Sequence, residues 1–406
     1  MKLIKLKDIA EITMGQSPEA KYVVQEKIGL PLLNGPAEFT NRFPIPVQYT
    51  SDNKRVAQIN DILFCVRGST TGRMNIADQK YAIGRGLASI RHKNSSELNS
   101  YIKALIEVNL KKLLNGTLGS VFPNLTKDNL FELECYIHDY TDQNKIASIL
   151  SALDDKIELN NSINTELEQM AKTLYDYWFV QFDFPNEDGK PYKSSGGKMI
   201  YNDILKREIP EGWEVKKIEN LGSLKNGINY DPKLEGDSLA KIINVRNISQ
   251  SSIFIENNDL DKLKLDQKDI NKYLVDDNSI IIARSGTPGA TRLIKNFESN
   301  TIYCGFIICL TVSDLRNLNL LYFNLKDFEK NINSQSNGTI MKNVNQQVLN
   351  NFDIIIPESK ILNNFNTTIN SIFDKILNNI KQNQELISLR DWLLPMLMNG
   401  QVKVVD

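Results

Sequence analysis

The sequence predicts an α+β protein in which two mixed α/β domains form a pseudo-two-fold repeat, separated by two long coiled-coil helices. Three observations carry this. Residues 142–179, DQNKIASILSALDDKIELNNSINTELEQMAKTLYDYWF, place Ile146, Ile149, Leu150, Leu153, Ile157, Ile163, Leu167, Met170 and Leu174 on one helical stripe without a Pro or Gly. At about 1.5 Å per residue this run makes a rod of roughly 57 Å, longer than the three or four turns usual in a globular domain, and its stripe needs a partner. Residues 363–398 supply one: a shift of 219 positions superposes Asp155-Lys156-Ile157 on Asp374-Lys375-Ile376 and Glu166-Leu167 on Glu385-Leu386. The repetition continues outside the helices, since residues 218–229 echo 6–17 and residues 278–294 echo 61 onward.

The first domain spans residues 1–141. A turn-rich MGQSP at 14–18 and the turn signal Asn34-Gly35 precede a strand over 62–66, which runs into the loop RGSTTGR at 67–73; a strand-like segment carrying Arg85 follows. The first long helix occupies 142–182. Residues 183–212, rich in Pro, Gly, Ser and Lys, read as an extended linker. The second domain, 213–360, replays the first: a shift of 217 puts Arg67 on Arg284 and Gly72 on Gly289, and Asn115-Gly116-Thr117 matches Asn337-Gly338-Thr339. The second long helix and a tail fill 361–406.

Asn160 and Asn164 superpose on Asn379 and Asn383, all close to the apolar stripe, where a polar residue weakens packing but fixes which residues face each other. If the helices run antiparallel with facing positions at a constant sum of 543, Asn160 meets Asn383 and Asn164 meets Asn379. Ile146/Leu397, Leu150/Leu393, Ile157/Leu386, Ile163/Ile380, Leu167/Ile376, Met170/Phe373 and Leu174/Ile369 then become apolar pairs. A parallel pairing also matches Asn160 with Asn379, so these residues fix register and leave direction open.

With 406 residues, 41% apolar, and a net charge of −1, the chain has room for two or three domains and no overall charge that would hold DNA at physiological salt. Contact with nucleic acid must come from local basic clusters. Four cysteines without a CxxC pair and two histidines exclude a zinc constellation, and the expected state is buried free thiols in a reducing cytoplasm. The apolar runs are too short to span a bilayer and the amino terminus lacks a signal-peptide core, so no membrane partner is expected.

The 67–73 loop lacks the GxxxxGK[ST] pattern of a phosphate-binding loop. It suits DNA instead: arginine makes bidentate contacts to guanine or phosphate, hydroxyls donate to phosphate, and glycine lets the backbone come close. A hairpin turn with solvated arginines is the plainer alternative, which a second copy at the corresponding place weakens. Catalytic patterns are missing. The chain has no Pro-Pro for an amino-methyltransferase loop, and Asp183 with Asp188-Gly189-Lys190 resembles a nuclease site only superficially, in a segment read as linker.

The duplicated layout resembles the specificity subunit of type I restriction-modification systems. The helix DDKIELNNSINTELEQMAKTLYDYWF, the segment FDFPNEDGKPYKSSGGKM at 182–199, Ile209-Pro210-Glu211-Gly212-Trp213 and the paired strand-Arg-Gly loops carry that resemblance. It implies two target-recognition domains, each reading one half of a bipartite double-stranded DNA target, on conserved antiparallel spacer helices that dock two modification (methyltransferase) subunits. Catalysis would belong to those subunits and to restriction (translocase/nuclease) subunits, so S-adenosylmethionine and ATP are expected on partners and no cofactor, metal or catalytic residue in this chain. Expected DNA contacts are Arg67, Arg73 and Arg85 in the first domain and Arg284 and Arg292 in the second, then Gln16, Ser17, Ser69, Thr71, Asn226, Ser285 and Thr287. Two departures are visible: the first domain has no counterpart of Trp213, and His138 stands where the second has Pro357. The readings from outside this picture are a coiled-coil adaptor that never touches DNA, and a recognition subunit of a methylation-only or other bipartite restriction system.

Overall fold

Two uninterrupted helices, Tyr140–Tyr175 and Ser359–Met398, organise the chain. The computed structural model describes residues 1–115, 124–230, 236–334 and 343–404, so Gly116, Thr117 and Asn337-Gly338-Thr339 lie outside the described residues. The first helix closes in a single π turn, Asp176–Val180. The second carries Pro395 in its last turn and stops at Gly400, whose φ of +70° suits glycine. The chain divides within both helices: one unit holds residues 1–162 and 379–406, the other 163–378. Each unit therefore owns one domain and one half of each helix, where the sequence suggested domains and helices as successive blocks.

In the first unit the helix halves run antiparallel. Asn160 donates to Asn383 Oδ1 at 2.8 Å and to Gln382 Oε1 at 2.7 Å, Asn383 donates to Asn161 Oδ1 at 2.8 Å, and Arg390 pairs with Asp154 at 3.0 Å. Ile146, Leu150, Leu393 and Leu397 share one core with the domain. Asn160 and Asn383 keep the sum of 543 and the other pairs fall within one of it, which settles the direction the sequence left open. In the second unit Trp178 lies against Phe365 at the same sum, ring centroids 5.8 Å apart. One expected pair does not form: Met170 is 58% exposed, and Phe373 turns to Phe254, Tyr322 and Phe323 of its own domain. An aromatic cluster inside the unit buries that ring more fully than one thioether would.

Both domains repeat one sheet. Strands Ala10–Met14, Leu87–His92, Ile62–Cys65 and Met74–Ile76 hydrogen-bond in that order, and Gly222–Asn226, Ile307–Val312, Ser279–Ala283 and Thr291–Leu293 repeat the order in the second unit. The leading strands also match: Lys2–Lys5 pairs antiparallel with Glu134–Ile137 as Glu214–Lys217 does with Asp353–Ile356, so Met1 stands in the place of Trp213. Beside the main sheet lie a five-stranded mixed sheet in the first domain and a three-stranded one in the second. Ion pairs fasten each domain to its own helix segment, Arg42 to Asp155 and Lys172 to Asp327.

The 183–212 segment is folded, against the expectation of an extended linker. Its glycines serve tight turns at Gly189 and Gly196, with φ of +74° and +91°, and Met199–Asn202 pairs with Arg207–Pro210. Phe184 stacks on Tyr192 and Trp213 at 4.6 and 5.0 Å, and Phe182 meets Trp213 edge-on. Asp183 accepts the Ser194 backbone N–H at 2.7 Å and its hydroxyl at 2.6 Å, which holds the carboxyl below its usual range; this is loop pinning, and it disposes of the nuclease look-alike.

Both histidines lie in the first unit around one cavity with Met1, Asp139 and Gln143. Tyr101 Oη accepts the His138 backbone N–H at 3.0 Å and lies 3.1 Å from His138 Nδ1. His92 Nδ1 accepts backbone N–H groups of Asn94 and Ser95. Burial pushes both imidazoles below their ordinary value of 6.5, so the unfolded chain takes up protons that the folded one excludes. The stability they support is therefore complete above pH 6.5 and is lost as pH falls through it. The melting temperature is expected to drop between about pH 7 and 5, and His92→Gln with His138→Gln should flatten that slope in a thermal melt followed by circular dichroism. Replacing Asn160 by Ala should destabilise by about 1–3 kcal/mol because Asn383 loses a buried partner. Leu at both positions should recover the loss in urea unfolding while permitting slipped registers, read as mixed products in cysteine cross-linking.

Candidate nucleic-acid interface

In each domain one edge of the main sheet gathers a glycine loop and a tight turn. After strand Ile62–Cys65 the loop 67–72 is closed by Gly72 N–H on Cys65 O at 2.9 Å and by the Thr71 hydroxyl on Gly68 O at 2.7 Å. Gly68 and Gly72 have φ of +87° and +96°. After Ser279–Ala283, Gly289 N–H closes on Ala283 O at 2.9 Å, and Gly286 and Gly289 have φ of +80° and +84°. Such values in the left-handed region are why both loops need glycine at these two points.

The loops differ by one residue, and this corrects the arginine alignment. Val66 donates to Gly86 O and Arg284 donates to Phe306 O, both at 2.9 Å; Val66 O accepts from Leu125, and Arg284 O from Val344. Arg284 is thus the counterpart of the buried Val66, and Ser285 that of Arg67. The shift of 217 holds at Gly72 and Gly289 and fails at the arginines, because two residues separate Gly286 from Gly289 where three separate Gly68 from Gly72.

The adjoining turns coincide. Leu87 N–H closes on Gly84 O at 3.0 Å and Ile307 N–H on Cys304 O at 2.9 Å, while Gly15 and Gly227 donate to Leu87 O and Ile307 O. Gln16 reaches Ile83 O through its backbone, and Ser17 Oγ accepts the Arg85 N–H at 3.3 Å. The first domain therefore brings together Gln16, Ser17, Arg67, Ser69, Thr71 and Arg85. Arg67 and Arg85 are exposed, and among the described residues their guanidiniums have no protein partner. The second domain brings together exposed Asn226 and Thr287 with half-buried Arg284 and Ser285.

Three expected contacts fare differently. Arg292 is 7% exposed and donates to Ser251 O and Thr291 O, each at 2.7 Å, beside Glu329 at 3.6 Å. It points inward because it shares a register position with Asn75, likewise buried and bonded to Thr40 O at 2.9 Å; it is an interior strut and no DNA contact. Glu329 also takes Lys326 at 2.7 Å, and burial raises Glu168 and lowers Lys326 in the same cluster. Arg73 donates to Phe39 O at 2.8 Å and Pro36 O at 3.4 Å and so clasps the 36–39 segment. Arg284 donates to Gly305 O at 3.0 Å, which leaves only part of its guanidinium for a ligand. Sequence reading passed over Phe306, 63% exposed at the corner of its turn; a glycine-aromatic pair straight after a strand was the available signal.

Comparison with known proteins decides the family. The profile of the type I restriction modification DNA specificity domain matches residues 1–169 and 210–389. The MjaIX specificity subunit of Methanocaldococcus jannaschii is 30% identical over 424 aligned positions, which cover 99% of this chain and 93% of that protein. The chain belongs to the family of type I restriction-modification specificity subunits. The HindI specificity subunit of Haemophilus influenzae is 27% identical over 76% of this specificity subunit and 75% of its own length. The crystal structure of an S subunit from M. genitalium superposes with a TM-score of 0.56 at 15% identity, covering 98% and 95% of the two chains, and shares the fold.

As a specificity subunit the chain serves DNA target recognition, and the loop-and-turn edge of its first domain presents the exposed Arg67 and Arg85. Among the described residues no group of three or more His, Cys, Asp or Glu side chains could hold a metal, and no helix is long and apolar enough to cross a membrane. The cysteines are free and buried; burial pushes the Cys135 thiol up to about 11. Arg67→Ala and Arg85→Ala are expected to weaken DNA binding at unchanged melting temperature, each lowering the slope of log affinity against log salt by about 0.9 if it neutralises a phosphate. Arg292→Met should lower stability instead, on the order of 2 kcal/mol for its lost charged hydrogen bonds, in urea unfolding.

Proposed function

We propose that this specificity subunit reads a bipartite, asymmetric double-stranded DNA target in the cytoplasm, one domain to each half-site, and that its helices carry two modification (methyltransferase) subunits, with restriction (translocase/nuclease) subunits in the same complex. The observation that carries the reading is a shared frame with different tips. Sheet order and loop-and-turn hydrogen bonds agree between the domains, while the exposed side chains differ: Arg67 and Arg85 in one, Asn226, Thr287 and Phe306 in the other. Two copies of one reader with unlike tips suit two unlike half-sites.

Methyl transfer, translocation and cleavage belong in this reading to the partners, which would bind S-adenosylmethionine and ATP. The helix segments offer apolar surface for them: Leu159, Ile387, Leu389 and Trp392 are exposed in the first unit, Met170, Tyr177 and Val180 in the second. Isolated exposed apolar residues are ordinary, but several on paired helices favour a protein partner. The helices also act as the ruler, with half-sites one or two duplex turns of roughly 34 Å apart.

Inserting one heptad into each helix at the matched register is expected to change the preferred spacer between half-sites, scored by sequencing methylated DNA; an unchanged spacer contradicts the ruler. Trp392→Ala should weaken association with the methyltransferase subunit in analytical ultracentrifugation while the isolated chain melts as before.

A further inference from the structure

The tight turn beside each glycine loop has two corner residues, and the side chain stands at opposite corners in the two domains. In the first domain the corners are Arg85 and Gly86. A methyl group at Gly86 would lie 2.3 Å from the Asn34 carbonyl oxygen, so only the first corner can carry a side chain, and it carries Arg85. In the second domain the corners are Gly305 and Phe306. There Gly305 takes the first corner, where a methyl group would meet only the movable end of the Asn229 side chain and lie 3.3 Å from Ile228 O, and the side chain stands at the second corner. Both turns are otherwise held alike, by the closing bond across the corner and by Gly15 or Gly227 donating to the residue that follows.

Phe306 is 63% exposed on a turn fixed by three backbone hydrogen bonds: Ile307 N–H to Cys304 O, Gly305 N–H to Ile228 O at 2.7 Å, and Arg284 N–H to its own carbonyl. A large ring held rigidly in water gains nothing for the free protein. Its neighbours are the Arg284 guanidinium, anchored on Gly305 O, and the loop that carries Thr287. A cation beside an apolar ring fits the major-groove edge of an A·T pair, where the only apolar feature is the thymine C5 methyl.

Resting on the DNA-reading function proposed above, we infer that this corner sets a difference in base preference between the two domains: Arg85 presents a cation to guanine or phosphate, and Phe306 packs on a thymine methyl. The pairing is an apolar contact without bond making, and the rigid turn means that little conformational entropy is lost on binding.

The test uses the full chain assembled with its methyltransferase subunits and a duplex carrying the target found by methylation sequencing. Each thymine is replaced in turn by deoxyuridine, which removes only the methyl group. One replacement is expected to weaken wild-type binding about four-fold, the equivalent of roughly 0.8 kcal/mol for one buried methyl. Phe306→Ala should bind the thymine and deoxyuridine duplexes equally, and Phe306→Leu should keep part of the difference. Equal sensitivity of wild type and Phe306→Ala at every position, insensitivity of the wild type throughout, or a target without thymine on either strand overturns the inference. Loss of specific DNA binding by the wild-type complex itself would instead strike at the underlying function, so the two failures are distinguishable.

Discussion

Everything in this molecule depends on two asparagines that can be buried only together. Asn160 and Asn383 are 1% and 8% exposed and satisfy one another across the helix pair, with Gln382 and Asn161 taking the remaining hydrogen bonds. Leucines there would pack at least as well. A slip of one heptad would set Asn160 against Ile376 and leave its amide unpaired, which costs more than the apolar contact returns. The polar pair thus trades stability for a single register. Because each domain is tied to its own helix segments, through Arg42 and Asp155 in one unit and Lys172 and Asp327 in the other, that register also fixes which part of each helix every domain is built on.

The second constraint is a frame copied with its hydrogen bonds and altered at its tips. Both domains keep the sheet order, the paired leading strands and the two left-handed glycines of the loop. Inside that frame small steric facts allocate chemistry. The Asn34 carbonyl bars a side chain at Gly86, so an arginine emerges from the other corner of that turn, and in the second domain a phenylalanine follows Gly305 at the corner where Gly86 stands in the first. Arg284 takes the place of the buried Val66, and its half-buried guanidinium donates to the Gly305 carbonyl. At positions of this kind a substitution changes the tip and leaves the bonding untouched.

Much of this was legible in the sequence, and what was not has physical reasons. The rods, their repeat and the sum of 543 follow from helical periodicity, which survives without tertiary context; Asn160 and Asn383 meet as that sum requires. Direction needed contacts, because the asparagines match in either sense. Arg292 was misplaced because alternation along a three-residue strand cannot tell the inward face from the outward one, and its environment of carbonyls and Glu329 comes from distant segments. The folded 183–212 segment was hidden by composition: Pro, Gly and Ser make tight turns as readily as loose chain, and Trp213 decides between them. Phe306 carries no signal in the sequence beyond the glycine before it, and its exposure shows only in the fold.

The central claim is that two different readers on one fixed-register helix pair define the target. Sequencing the methylated bases of DNA from a cell that carries the complete system tests it most directly. The account predicts two short, unlike half-sites separated by an unread spacer of one constant length. A single contiguous site, a spacer of variable length, or no sequence preference at all would contradict it.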